Sequence, residues 1–538
     1  MINDVWCVPL DPETALIYAP FHGISTLVNR TMAELILCCL HDPAEPVPEE
    51  AAWITSLREP GLRPLRHHGT ADPLFLGLIP TRGCMMQCAY CDFVTLKNHP
   101  VMSFARIRET IDGYAELLRG KANAVWNMHF FGGEPFAAFK EVVFAVNYAR
   151  RKAAELEIPT HFEVTTNGCY PAEKCRWIAE NFDTVVLSLD GFPETQNLHR
   201  PGPKGTDSFP IVCRSADILS RGSCELIIRS CVSADNADKL PEWAAFLAER
   251  WAPEAVCLEP MIESGLAEQN GLHSPDPFIF AQRWASAQRI LKSERIRLVY
   301  SSADISEAKN SLCPMGRDAL IIDPEGRIAD CWQLSENQHA GGVDLCFGSV
   351  SGSGLDIDKD LLEQQRDLSE SNRERCRGCF CYAHCAGGCV LNKERGGVFC
   401  RLTRTVTLWL LLERLGYGIR ADGLLKNKDF LDRLAEIPDF RLGEISFSDI
   451  PDILTDPAHG FDAPDLARDP GSISLPPLPS DPPRGWIRDG SRILTVDIEK
   501  VFVKVLEGKD ALRFQLENSG MNAAEITAVW DALFEEAD

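Results

Sequence analysis

Three cysteines, Cys84, Cys88 and Cys91, stand within eight residues in Thr81-Arg-Gly-Cys-Met-Met-Gln-Cys-Ala-Tyr-Cys-Asp92. They follow an apolar segment, Leu74 to Ile79, that reads as a strand, so the thiols fall on the loop after it. Three thiolates on one loop can hold three irons of a 4Fe–4S cube and leave the fourth iron open to an outside ligand. Structural zinc takes four protein ligands. No fourth Cys or His continues the spacing, and His67 and His68 lie too early. Zinc and buried free thiols are the competing readings.

A second cysteine set has the pattern C-x12-G-x4-C, a gap, then C-x2-C-x5-C-x3-C-x10-C, formed by Cys313, Gly326, Cys331, Cys376, Cys379, Cys385, Cys389 and Cys400. Seven thiols, with His384 as an eighth donor, would also suit a pair of tetrahedral zinc sites. Between the two sets lie polar segments at the ends of expected strands. Gly132-Gly133-Glu134-Pro135 lets the backbone approach a ligand closely, or simply turns the chain into a helix. Thr165-Thr166-Asn167-Gly168 and Ser188-Leu189-Asp190-Gly191 carry Asn-Gly and Asp-Gly, which are also common turn pairs. Arg200 and Arg229 offer guanidinium forks for a carboxylate. Arg229 falls inside the apolar run Leu226 to Val232, where an unpaired charge would be costly. His129 either faces a substrate or packs.

The elements that place these residues alternate. Strands are expected at Leu74–Ile79, Val125–Phe131, His161–Thr165, Val185–Ser188, Leu226–Val232 and Val256–Pro260. Helices are expected at Phe104–Leu118, Phe136–Leu156, Pro171–Asn181, Phe209–Arg221 and Leu240–Ala248. A repeat of this kind builds a parallel sheet wrapped by crossover helices, either closed as a barrel or partly open.

The first cysteine spacing, with aromatic Tyr90 before the last thiol, resembles the signature of the radical S-adenosylmethionine (SAM) enzymes. The resemblance implies an α/β fold, a partial (β/α)6-type TIM barrel, with Cys84, Cys88 and Cys91 on the catalytic cluster. The free iron would bind SAM, and an electron from the cluster would cleave it to methionine and a 5′-deoxyadenosyl radical. It also implies that Gly132, Gly133, Glu134 and Pro135 receive the methionine amino group, and that Tyr90, Asn167, Ser188 and Asp190 line the cofactor. Arg200 or Arg229 would take its carboxylate, and Glu259-Pro260 resembles the strand beside adenine. The second set resembles, cysteine for cysteine, the SPASM domain of peptide- and protein-modifying enzymes. That implies one auxiliary 4Fe–4S cluster on Cys376, Cys379, Cys385 and Cys400, and another on Cys313, Cys331 and Cys389. The latter has an open iron unless Cys346 or Cys381 closes it. Three cubes make about twelve irons per chain.

The expected organisation is an N-terminal module over 1–75, either a peptide-recognition domain or a decorative extension, a radical SAM core over 76–305 and a SPASM domain over 306–420. A helical then proline-rich linker covers 421–490 and a small α/β module 491–538. The N-terminal module reads as strands Val5–Leu10 and Ala15–Tyr18 and a helix Leu27–Leu40, with Asn29 or Thr31 as cap. Between 451 and 490 there are nine prolines. The C-terminal module reads as alternating Ile493–Val501 and a helix Ala524–Phe534.

The chain of 538 residues carries 78 acidic and 54 basic side chains, a net charge of −24. That balance argues against nucleic acid or an anionic membrane as partner. No apolar run reaches the roughly 18 residues of a membrane span, and Met1-Ile2-Asn3-Asp4 is not a basic secretory start. A cytoplasmic location follows, and 21 cysteines in a reducing compartment point to metal rather than disulfides.

Two auxiliary clusters imply an electron leaving the substrate. The leading expectation is a maturase forming an intramolecular carbon–carbon or thioether crosslink in a ribosomally synthesised precursor peptide, with flavodoxin or ferredoxin as electron donor. Alternatives are a sulfatase-type maturase, which oxidises a Cys or Ser to formylglycine but is usually shorter, and a peptide epimerase. An epimerase would use a thiol such as Cys213, Cys224, Cys231 or Cys257. A non-enzymatic electron-transfer protein is the remaining class.

Overall fold

The computed structural model describes residues 4–10, 13–42, 44–91, 99–262, 265–315, 319–332, 339–340, 343–352, 354–391, 397–416, 486–489, 492–497 and 502–534. The expected linker over 421–490 lies outside these residues, save for its last few.

At the N-terminus, β1 (Trp6–Pro9), β2 (Thr14–Ala19) and β3 (Ile24–Asn29) form an antiparallel sheet followed by α1 (Arg30–His41). The helix starts later than its apolar run suggests. Leu27 and Val28 pair with Leu16 and Ala15 as a third strand. Asn29 then caps the helix, accepting from Met32 N at 2.8 Å. One sheet face, with Val5, Cys7, Ala15 and Ile17, packs on α1. The other, with Trp6, Val8, Leu16 and Tyr18, joins the main core.

The core alternates as expected. Its strands are β4 (Leu76–Leu78), β5 (Trp126–Phe130), β6 (Thr160–Thr166), β7 (Thr184–Ser188), β8 (Glu225–Val232) and β9 (Ala255–Pro260). The helices between are α2 (Phe104–Leu118), α3 (Phe139–Glu155), α4 (Ala172–Asn181), α5 (Pro193–His199), α6 (Phe209–Leu219) and α7 (Leu240–Arg250). Ser103 starts α2 by accepting from Arg106 N. Residues 136–138, expected as the start of α3, are instead a short 3-10 turn opened by Pro135, whose fixed φ suits a first helical position. Beyond β9 come α8 (Gly265–Gln269), α9 (Pro277–Ser293) and β10 (Arg297–Val299).

The sheet continues into the cysteine-rich segment. After β11 (Leu320–Ile322) and β12 (Arg327–Ala329) comes the small β13 (His339–Ala340) and β14 (Val343–Asp344) ladder, then β15 (Cys346–Ser351) and β16 (Gly354–Ile357). The strand order is β10-β9-β8-β7-β6-β5-β4-β11-β12-β15-β16. Pairs from β10 to β11 are parallel and those beyond are antiparallel. This is an α/β core with a mixed sheet consistent with a partial barrel.

Three helices complete the segment: α10 (Lys359–Glu374), α11 (Tyr382–Cys385) and α12 (Val398–Arg414). At the C-terminus, β17 (Trp486–Asp489), β18 (Arg492–Asp497) and β19 (Phe502–Glu507) pair antiparallel, followed by α13 (Gly508–Glu517) and α14 (Ala523–Phe534). Val529 and Leu533 of α14 are buried in the main core, and Arg151 of α3 donates to Leu533 O at 2.9 Å.

Burial alternates along the core strands. In β8, Leu226, Ile228, Ser230 and Val232 are buried beneath helices, while Glu225 and Arg229 on the other face are exposed. The outer face of the sheet is dry and its inner face is polar and open. Arg229 is therefore not a charge trapped in an apolar strand; it projects from the inner face.

Candidate active site

The first cysteine loop is held from both sides. From β5, Gly133 N donates to Thr81 O at 3.1 Å and Glu134 N to Gly83 O at 2.8 Å. A Cβ on Gly133 would lie 2.3 Å from Gly83 O, and Gly132 has φ of +136°, so neither position accepts a side chain without moving the loop. From the other side, Ala89 N donates to His199 O and Gln87 N to Pro201 O. Arg82, beside the loop, makes a buried 2.6 Å ion pair with Asp323 in the β11–β12 turn. Gly326, the glycine of the second cysteine pattern, closes that turn at φ of +86°.

Cys84, Cys88 and Cys91 are mutual neighbours. Burial pushes the Cys88 thiol up to about 12, with the Arg200 guanidinium opposing. Met86 N and Asn167 Nδ2 both donate to Cys84 Sγ at 3.5 Å, which suits a sulfur carrying negative charge.

Asp190 and Arg200 are brought together. Although burial works against ionisation, the Arg200 guanidinium and His199 hold the Asp190 carboxyl well below the usual range. Its Oδ2 accepts from Tyr90 Oη at 2.7 Å and Arg200 Nε at 2.9 Å, with His199 Nδ1 at 3.3 Å, and its Oδ1 accepts from Cys231 N. Arg200 also lies over the Tyr90 ring, 5.3 Å from its centroid. Asp190 thus ties Tyr90 of the cysteine loop to Arg200. His199 was not singled out from the sequence; the structure places it at the end of α5.

Glu134 is fully buried. Its carboxylate accepts from Asn167 N at 2.8 Å, Thr166 Oγ1 at 2.9 Å and Phe136 N at 3.1 Å. Burial nevertheless raises it to about 7, against those hydrogen bonds. Glu134 joins the end of β5 to the end of β6, with Asn167 beside Cys84. Ser188 ends β7 and pairs in register with Arg229, which Cys257 follows on β9.

The inner face holds a group the sequence reading mostly missed. His129 stacks on Phe75 at 4.1 Å, and its Nδ1 lies 3.6 Å from Glu163 Oε1. Asn127 Oδ1 lies 3.0 Å from His129 Nε2 and 3.2 Å from His161 Nδ1. Burial raises Glu163, and burial lowers His129 to about 4. The alternation His161, Glu163, Thr165 in β6 was the available signal. Among the cysteines considered as hydrogen donors, Cys257 lies on this inner face, Cys213 is on the buried face of α6, and Cys231 neighbours Asp190. Glu259 accepts from Ser301 N at 3.1 Å.

In the second set, Cys385 sits among Cys379, Cys400 and Cys376. Cys313 lies beside Cys389 and Asp330. Cys381 contacts Cys379 rather than the Cys313 group, and Cys346 Sγ is 3.4 Å from Gly348 O. Among the described residues no three His, Cys, Asp or Glu side chains converge to chelate one metal ion. A cube makes a different demand, because each thiolate holds its own iron and the sulfurs stand around a volume. Grouped thiols with Met86 N and Asn167 aimed at a sulfur fit that demand.

Residues 78–222 match the family model described as the Radical SAM superfamily. These residues form a radical SAM domain, a cysteine-rich extension follows it, and the chain is similar to anaerobic sulfatase maturases. It is 25% identical over 346 residues to a cysteine-type anaerobic sulfatase-maturating enzyme of Clostridium perfringens, covering 59% of this chain and 89% of that one. A serine-type anaerobic sulfatase-maturating enzyme of Klebsiella aerogenes is 22% identical over 334 residues, covering 58% and 78%. A solved structure described as native anSMEcpe with bound AdoMet and Kp18Cys peptide superposes with a TM-score of 0.52 at 19% identity, covering 64% of this chain and 99% of that one.

These relatives correct the expectation of a crosslink-forming peptide maturase. Sulfatase-type maturases are expected to be shorter than this chain. Yet the alignment spans nearly the whole relative and leaves the excess outside it, so the added length says nothing about the core chemistry. No helix among the described residues is long and apolar enough to cross a membrane.

Proposed function

We propose that this chain is a sulfatase-type maturase that oxidises a Cys or Ser side chain of a protein substrate to the aldehyde of formylglycine. The observation that carries the reading is the similarity to both cysteine- and serine-type anaerobic sulfatase-maturating enzymes over most of their length. Cys84, Cys88 and Cys91 would hold the cluster that binds SAM. The set of Cys376, Cys379, Cys385 and Cys400 and the set of Cys313, Cys331 and Cys389 would hold auxiliary clusters. When bound, these groups supply reductive cleavage of SAM, hydrogen abstraction from the substrate β-carbon and a sink for the electron that carbon then releases.

The chain's own residues do the rest. Backbone oxygens of the Gly132–Gly133 turn receive the SAM amino group, with the Glu134 carboxylate behind them. Arg229, projecting beside Ser188, offers its fork to the SAM carboxylate, while Arg200 stays with Asp190. Glu163, which burial disposes to hold a proton, accepts the one lost by the substrate thiol or hydroxyl as the carbon–heteroatom double bond forms. Neutral His129 stands beside it. For a cysteine substrate, water then replaces sulfur and hydrogen sulfide leaves.

The test is anaerobic incubation of the reconstituted full chain with SAM, a one-electron reductant such as reduced flavodoxin, and a sulfatase segment carrying its target cysteine or serine. A new carbonyl, captured by a hydrazide and dependent on SAM, is expected. SAM cleavage without any carbonyl on either substrate would overturn the reading.

A further inference from the structure

The two auxiliary cysteine groups differ in the charge built beside them. Cys313 has the Asp330 carboxylate as neighbour, and Asp330 is 1% exposed. On α12, Cys400, Arg404 and Thr407 recur at helical spacing and so share a face turned to the Cys376–Cys385 loop. Arg404 is buried, hydrogen-bonded to the sulfur of Cys379 and close to Cys381 and Cys400. The Cys381 thiol, 2% exposed, contacts Cys379 on one side and Thr407 on the other. Thr407 Oγ1 is fixed in turn by His384 Nε2 at 2.9 Å.

The N-terminal sheet seals this loop. Trp6 Nε1 donates to Gly378 O at 3.1 Å, and the Trp6 and Phe21 rings stand 6.2 and 6.1 Å from Tyr382. Net charge, hydrogen bonds to sulfur and solvent exposure set the potential of an iron–sulfur cluster. A buried cation and a donor to sulfur favour the reduced, more negative form; a buried carboxylate disfavours it.

We propose that Arg404 and Cys381 raise the reduction potential of the cluster on Cys376, Cys379, Cys385 and Cys400 above that of the cluster beside Asp330, so that the electron released by the substrate settles on the Arg404 side. This rests on the ligand sets of the proposed function. One electron leaves the substrate for the auxiliary clusters and comes to rest on the one near Arg404. A flavodoxin- or ferredoxin-type acceptor then removes it. Arg404 and Cys381 are positioning residues that act through Cys379.

The experiment is a redox titration of the reconstituted full chain followed by electron paramagnetic resonance, with iron counted in parallel. Arg404→Gln should lower the higher auxiliary potential by about tenfold in its reduction equilibrium, about 59 mV for one electron, without loss of iron. Arg404→Lys should restore most of that shift, and Cys381→Ala should lower the same couple by a smaller amount. Should Arg404→Gln shed iron, Cys381→Ala and Arg404→Lys decide. Full iron with that couple unmoved by Cys381→Ala and by Arg404→Gln overturns the proposal alone. Iron for one cube only overturns the ligand sets, and the proposal with them.

Discussion

The Tyr90 hydroxyl donates a 2.7 Å hydrogen bond to Asp190 Oδ2, tying the residue before the last cysteine of the loop to the chain just past β7. Arg200 and His199 share the same carboxylate, so one buried charge positions the loop from below. Asp190→Asn leaves the Arg200 guanidinium buried without its counter-charge, which costs about 3–5 kcal/mol. Tyr90→Phe removes a single hydrogen bond to a charged group, about 1.5–3 kcal/mol. Urea unfolding of the two variants should rank them in that order, and equal losses would contradict the arrangement.

Gly133→Ala should abolish loading of the first cluster while leaving the fold intact. The added methyl meets Gly83 O and Arg82 O, both backbone atoms with no rotamer to escape into. The expected result is a loss of about four of twelve irons and of SAM cleavage, with an unchanged far-ultraviolet circular dichroism spectrum. Retained iron would mean that the loop yields.

Changing Cys84, Cys88 and Cys91 together to Ala should remove the same irons and all SAM cleavage, and leave the auxiliary clusters in place. Wild-type iron near four per chain, rather than about twelve, would contradict the auxiliary assignment.

His129 makes stability depend on acid pH. Burial lowers its folded value to about 4, so between there and its unfolded value of about 6.5 the unfolded chain binds more protons. Stability should be full above pH of about 6.5 and fall as pH drops toward about 4, by at most about 3 kcal/mol. His129→Gln should flatten thermal unfolding midpoints over that window. A variant as acid-sensitive as the wild type would assign the loss to another group.

Much of this was legible in the sequence because strands and helices of the core announce themselves by periodicity. The helix Phe104–Leu118 was expected with the ends it has. The misses share a cause, which is that tertiary pairing overrode local pattern. Leu27 and Val28 continue the apolar face of α1, yet they pair with β2. The short strands β11 and β12 are set by pairing with β4 and by the turn at Gly326, and three residues carry too little periodicity to see. At the site, the cysteine spacings and the glycine turn were visible as motifs. The inner-face pair His129 and Glu163 was not, because residues from neighbouring strands meet only through register. Arg229 reads as a charge inside an apolar run, whereas it stands on the open face of its strand.

The central claim is that the chain removes a hydrogen from the β-carbon of a substrate Cys or Ser and converts that carbon to an aldehyde. The direct measurement uses a sulfatase segment deuterated at that β-carbon, incubated anaerobically with the reconstituted chain, SAM and reductant. The account predicts deuterium in 5′-deoxyadenosine and a carbonyl at the labelled carbon. Deuterium retained on the peptide while SAM is consumed would contradict it.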